Sequence, residues 1–190
     1  MGSHTLPIVT DTEPDQDDGA RRRAIGKELA RLEERAKWSA QGQLEQAKIW
    51  RALNLWLGAP SAVAAAISGA LVLTSDTLDV IGGCLALAAA AGGAILTTVN
   101  ASYRANNATA AGNAYLEIQT AARRAGEVDL PWADLDDARQ ELGELSARMD
   151  EQNKTADPPG RRAYRRAKKN IESGGQTYGT DADAQEGPGA

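Results

Sequence analysis

Phenylalanine is absent from this chain, and cysteine and histidine occur once each, as Cys84 and His4. A single thiol excludes an intrachain disulfide, and one thiol with one imidazole builds neither a metal cluster nor a thiol–disulfide pair. The sequence also lacks a P-loop, a strand-borne G-x-G-x-x-G and a Ser-His-Asp set. Gly82-Gly83 and Gly92-Gly93 fall in apolar sequence, where glycine pairs cradle no phosphate. These absences argue against an enzyme, and no cofactor or metal is expected. No segment joins a strong basic charge to interleaved aromatics, which make up 4% of the chain, so nucleic acid is not an expected partner. The first twenty residues have neither a basic start nor an apolar block, so the first apolar run is expected to direct membrane insertion itself.

What the chain does have is two stretches free of lysine, arginine, aspartate and glutamate, residues 52–75 and 80–103. Each is ~36 Å long as a helix, enough to cross a hydrocarbon layer of ~30 Å. Only Asp76-Thr77-Leu78-Asp79 separates them, which leaves room for a tight turn and makes the pair an antiparallel hairpin. The expected class is therefore an all-α membrane protein, a two-transmembrane helical hairpin with a cytoplasmic helical collar. Trp50 and Trp56 bracket the start of the first span, at the level where indoles favour the membrane interface, although Trp56 packed between helices is the alternative. Arg35, Lys37, Lys48 and Arg51 precede the first span and Arg104 follows the second, while the turn has only acids. The positive-inside rule then places both termini in the cytoplasm of a bacterial inner membrane and the turn outside.

The flanks divide by charge and periodicity. Residues 1–19 carry five acids and no base and read as a disordered acidic tail. Residues 20–51 carry nine bases and four acids and read as a cytoplasmic helix. Its seam is Ile25, Leu29, Leu32 and Ala36, weakening around Ser39, Gly42 and Gln43 and resuming at Ala47 and Trp50. Past Arg104 the second span is expected to continue as helix. There Ala108, Ala111, Tyr115, Ile118, Ala122 and Ala125 form a second seam, with Gly126 as its stop. Asp129-Leu130-Pro131 is expected to open another helix with Asp134, Asp136 and Asp137 near its positive end and Leu135, Leu142, Leu145 and Met149 on its apolar side. Together these make a cytoplasmic helical region over 104–153. Asp157-Pro158-Pro159-Gly160 breaks the chain, and residues 154–172 hold a basic helix with Arg161, Arg162, Arg165, Arg166, Lys168 and Lys169. Those six residues are candidate contacts for anionic lipid; pairing with the acidic stretch 127–151 and plain solvation are the alternatives. Residues 173–190 read as a disordered tail.

Inside the spans, alanine and glycine occupy positions where leucine is usual. Gly58, Ala62, Ala66 and Ala70 recur every four residues in the first span, and Gly82, Ala86, Ala90 and Ala94 do so in the second. Such rows let helix backbones approach closely in lipid, so these eight are candidate helix-packing residues, within the hairpin or between copies in a homo-oligomer. Asn54, Ser61, Ser68 and Ser75 recur every seven residues, a spacing that keeps them on one face of a supercoiled helix. With Asp76 and Asp79 at the outer mouth they are candidate pore-lining residues. The alternative is that the serines bond carbonyls of their own or the neighbouring helix.

A helix ending at Trp50-Arg51, two spans with a minimal turn, and a following helix carrying Ala114-Tyr115-Leu116 together resemble the SLATT family of small bacterial two-transmembrane effectors. The resemblance covers about residues 31–125, half of the chain, and rests on layout more than on motifs. It implies an oligomeric inner-membrane effector in a bacterial antiviral defence system, forming a pore that depolarises the membrane when a cytoplasmic sensor or signalling partner triggers it. The expected partners are the lipid bilayer, further copies of the chain and such a sensor. Two rival readings stand beside it. One is a membrane-anchored scaffold whose hairpin only tethers, and the other is a soluble four-helix bundle with the alanine-rich runs as its core.

Overall fold

The computed structural model describes residues 14–74 and 79–175. Among these, 91% are helical and none forms a strand. The helices are α1 (Pro14–Thr74), α2 (Asp79–Val99), α3 (Ala101–Arg124), α4 (Leu135–Thr155) and α5 (Arg161–Glu172), with a π-helical turn, Ala125–Asp129, after α3. Two of these helices, α1 and α2, hold apolar stretches long enough to cross a membrane. The chain divides into two compact units. One comprises described residues 14–36 and 117–151, the other residues 37–74, 79–116 and 152–175.

α1 begins six residues before the expected helix start, within the acidic segment. Acids in a first turn complement the positive end of a helix, and Asp17 pairs with Arg21 at 2.8 Å, one turn on. Residues 1–13 of the expected tail lie outside the described residues, as do residues 176–190 of the C-terminal one. Pro60 sits inside α1, which runs through it. The second span does not run unbroken into the collar. α2 ends at Val99, and Asn100 takes a positive φ of 50° before α3 starts. Asparagine is among the few non-glycine residues that tolerate this region.

In the first unit the buried apolar side chains are Leu29, Leu32 and Ala36 of α1, Ile118 and Ala122 of α3, Ala125 and Leu130 after it, and Ala138, Leu145 and Met149 of α4. The seams read from the sequence supply nearly all of them. α4 starts at Leu135, four residues later than Pro131, because Asp134 caps it by accepting the Asp136 amide at 2.8 Å. The bend before it is tied to α1. Arg22 donates to the carbonyls of Leu130 and, at 3.0 Å, Ala133, while Leu130 packs where Gly26 leaves room: a β-carbon there would lie 3.1 Å from its side chain.

The second unit is built around small residues. Ala40, Ala47, Ala101, Ala105, Ala108, Ala111, Ala163 and Ala167 are all buried. Alanine buries little area per residue, so close backbone approach must supply the packing. At Gly112 a β-carbon would stand 2.9 Å from Leu44, which shows how near α3 comes to α1. The segment around Gly42, where the seam was expected to weaken, receives the Pro-Pro-Gly loop. A β-carbon on Gly42 would lie 3.2 Å from Pro159, Gln43 donates to the Asp157 carbonyl at 2.6 Å, and the Gly160 amide donates to Gln46 at 2.9 Å. Asn170 of α5 donates to Gln41 at 3.3 Å.

Candidate functional site

The candidate site is the hairpin made by the second half of α1 and by α2, with the junction beneath it. Its inner seam combines leucine with small and hydroxyl residues. On α1 the covered positions are Leu57, Ser61, Ala64, Ser68 and Leu71, spaced 4-3-4-3; on α2 they are Gly82, Leu85, Ala89, Gly92, Leu96 and Val99, spaced 3-4-3-4-3. This is the heptad period of a left-handed helix pair, which in lipid associates by packing and hydrogen bonds rather than by the hydrophobic effect. The closest approach is at Gly92, where a β-carbon would fall 2.1 Å from Ser61 Oγ. Only glycine fits there with that serine in place.

Both central serines are engaged in this seam. Ser61 donates to the Leu57 carbonyl of its own helix at 2.7 Å, and buried Ser68 donates across the hairpin to the Gly82 carbonyl at 2.7 Å. Asn54, the first member of the seven-residue stripe, is exposed. Ser75 and Asp76 lie outside the described residues, as does the side chain of Asp79, whose backbone opens α2. Of the four-residue rows, only the first members meet the seam: Gly58 is half-buried beside Leu96, and Gly82 is buried. Ala62, Ala66, Ala70, Ala86, Ala90 and Ala94 are exposed. Apart from Gly58 and Gly82, the hairpin is thus packed by residues that the small-residue spacing did not single out. The seven-residue recurrence of Ser61 and Ser68 was the signal that pointed to them.

Large apolar side chains cover the outside of the hairpin. Leu55, Trp56, Val63, Ile67, Val80, Ile81, Leu87 and Ile95 are exposed, and the most apolar windows of the two helices are only 6% and 11% buried. Trp56, at 77% exposed, does not pack between the described helices. Cys84 is exposed as well.

Below the hairpin the two helices are fastened at one level. The Arg104 guanidinium lies 5.4 Å from the centre of the Trp50 ring and donates to the Val99 carbonyl at 3.1 Å. Arg51 donates to Thr109 at 3.0 Å. The interruption at Asn100 disturbs the carbonyls ending α2, and Arg104 places both a donor and a positive charge at that negative helix end. Beside it is an open cleft of about 680 Å³ whose polar lining is Gln43, Gln46, Arg104, Asn107, Gln152, Thr155 and Asp157, which offers amides, a hydroxyl, one cation and one carboxylate. Deeper in the collar, Tyr115 is buried and donates to Asn153 at 2.8 Å; burial pushes its phenol above the usual tyrosine range.

On α5, Arg161, Arg162, Arg165, Arg166, Lys168 and Lys169 are all exposed, and Ala163 and Ala167 are buried. Among the described residues no three His, Cys, Asp or Glu side chains gather as a metal would need. No protein-family model matches the chain, and neither a characterised protein nor a solved structure shows significant similarity to it.

Proposed function

We propose that this protein is a self-associating membrane effector whose hairpin crosses the inner membrane of a bacterium, with both termini in the cytoplasm, and opens an ion path when its collar is rearranged. The observation that carries the reading is the bare apolar exterior of the hairpin, which nothing among the described residues covers. Such a surface is far more extensive than a soluble monomer exposes without a partner, and lipid is a solvent that suits it. The exposed rows Ala62/Ala66 and Ala86/Ala90/Ala94 suit contacts between copies, because small residues at spacing four allow close approach in lipid. In this reading Ser61 and Ser68 reach a shared path only when the seam turns. That turn breaks a cross-helix serine bond, which in a membrane contributes ~1 kcal/mol, together with the leucine packing of the seam. The likeness in layout to SLATT effectors is the reason for choosing a pore triggered from the cytoplasmic side.

The tethered scaffold is the second reading, and one observation favours it: both serines are satisfied inside a single hairpin. Asp76→Lys with Asp79→Lys separates the two without disturbing the seam. A pore with acids at its mouth loses cation flux from loaded liposomes while inserting normally. A tether conducts nothing before or after the change, and flux absent under every condition would remove the pore reading.

A further inference from the structure

The basic face of α5 stands at a height that the sequence alone does not fix. Its two ends are pinned to α1, Gly160 to Gln46 and Asn170 to Gln41. Those glutamines precede Arg51, the last charged residue before the apolar run, by five and ten positions. At a rise of ~1.5 Å per residue, α5 is held about 8 to 15 Å along α1 from that boundary. The near end is within about one Debye length of it at physiological ionic strength.

The face itself is sorted, with Glu172 the one acid within it. At ~100° per residue the six bases fall within an arc of about 160°, and Ala163, Ala167, Asn170 and Ile171 fall on the opposite side. Ala163 and Ala167 are 0% and 1% exposed, so the helix docks by its alanines and turns its charge outward. Lys168 pairs with Glu172 at 3.6 Å; Arg161, Arg162, Arg165, Arg166 and Lys169 make no ion pair among the described residues.

We propose that this face binds the anionic phospholipid headgroups of the membrane that holds the hairpin. Charge complementarity selects them, because five unpaired bases on one arc match a surface of phosphates. Placement selects them over a soluble polyanion, because the clasp at Gln46 holds the near end of the arc within about one Debye length of the span boundary. This inference rests on the membrane reading above, and it adds a lipid composition to which the collar is sensitive: each headgroup bound to α5 also bears on Gln41 and Gln46 of α1.

The test is amide exchange across residues 161–172 of the full chain in nanodiscs of phosphatidylcholine alone and of phosphatidylcholine with phosphatidylglycerol. The expected result is exchange at least about fivefold slower with the anionic lipid, the size expected from one basic residue at such a surface, and loss of that difference at high salt. Replacing Arg161, Arg162, Arg165 and Arg166 together by Gln should erase the difference. The rate in pure phosphatidylcholine should stay unchanged, which shows that α5 is still docked by its alanines. Equal exchange in both lipids overturns the proposal and leaves the membrane reading intact, as does slowing by a soluble polyanion such as heparin but not by the lipid. A chain that will not enter nanodiscs and stays in buffer without detergent overturns both.

Discussion

Tyr115 shows how one side chain sets the conditions under which the collar holds. The residue is 3% exposed, its hydroxyl donates a hydrogen bond to Asn153, and its pKa is raised from the ordinary 10.0 by the loss of water around it. A raised acid pKa means that the folded chain favours the neutral form more than the unfolded chain does. The stabilisation is therefore complete below the unfolded value and is lost as pH climbs through the folded one. Thermal unfolding of the collar should be flat from neutral pH to about 9 and fall steeply above about 10. In Tyr115→Phe the alkaline fall should shrink, and stability at pH 7 should drop by ~1 kcal/mol for the missing hydrogen bond. Arg104 acts at a boundary instead. It covers the Val99 carbonyl and stacks on Trp50, so Arg104→Ala removes a charged donor and a cation–π contact together. Arg104→Lys keeps the charge but not the planar donor, and should recover only part of the loss in unfolding temperature.

Among the elements, the collar was the more legible part of the sequence. All six members of the α3 seam, Ala108 through Ala125, are buried, because in water a seam of period 3.5 must find a partner or be exposed. The hairpin was less legible because nearly every residue in it is apolar, so hydrophobic period carries no phase. Small residues at spacing four offered one phase, and the structure uses another, marked by Ser61 and Ser68. The break at Asn100 and the late start of α4 were hidden for a different reason: each depends on one local bond that no periodic pattern contains. The clasp of Gln43, Gln46 and Gly42 on the Pro-Pro-Gly loop was hidden too, since the partners are more than a hundred residues apart. Two substitutions probe the seam at this scale. Gly92→Leu must drive Ser61 away and should separate the hairpin, read as faster proteolysis at the turn and a lower unfolding temperature in detergent. Ala91→Leu, on the exposed face of the same helix and outside the row Ala86/Ala90/Ala94, should leave both unchanged.

For the whole molecule the deciding question is what surrounds the bare face of the hairpin, and the one thiol can answer it. Cys84 is exposed in the isolated chain, five residues past Asp79, or ~7.5 Å into the apolar run along the helix. A free thiol in water reacts through its thiolate, and none of the described residues buries this one. Were the chain a soluble particle, a membrane-impermeant maleimide would label Cys84 quickly in plain buffer. Were it in lipid, the same reagent would meet a residue below the headgroups, and labelling should be slow in intact membranes and rapid once detergent strips the bilayer. Association between copies adds a finer contrast, because Cys84 and the row Ala86/Ala90/Ala94 share α2. If that row joins neighbouring hairpins, Ala86→Leu with Ala90→Leu should reduce the oligomer mass in mild detergent. Cys84 labelling in membranes should stay slow, because lipid then covers the face that a second copy had covered. Fast labelling of that variant in membranes, with the oligomer lost, would mean that protein rather than lipid had kept water from the hairpin. The apolar runs would then be an assembly core, not a pair of spans.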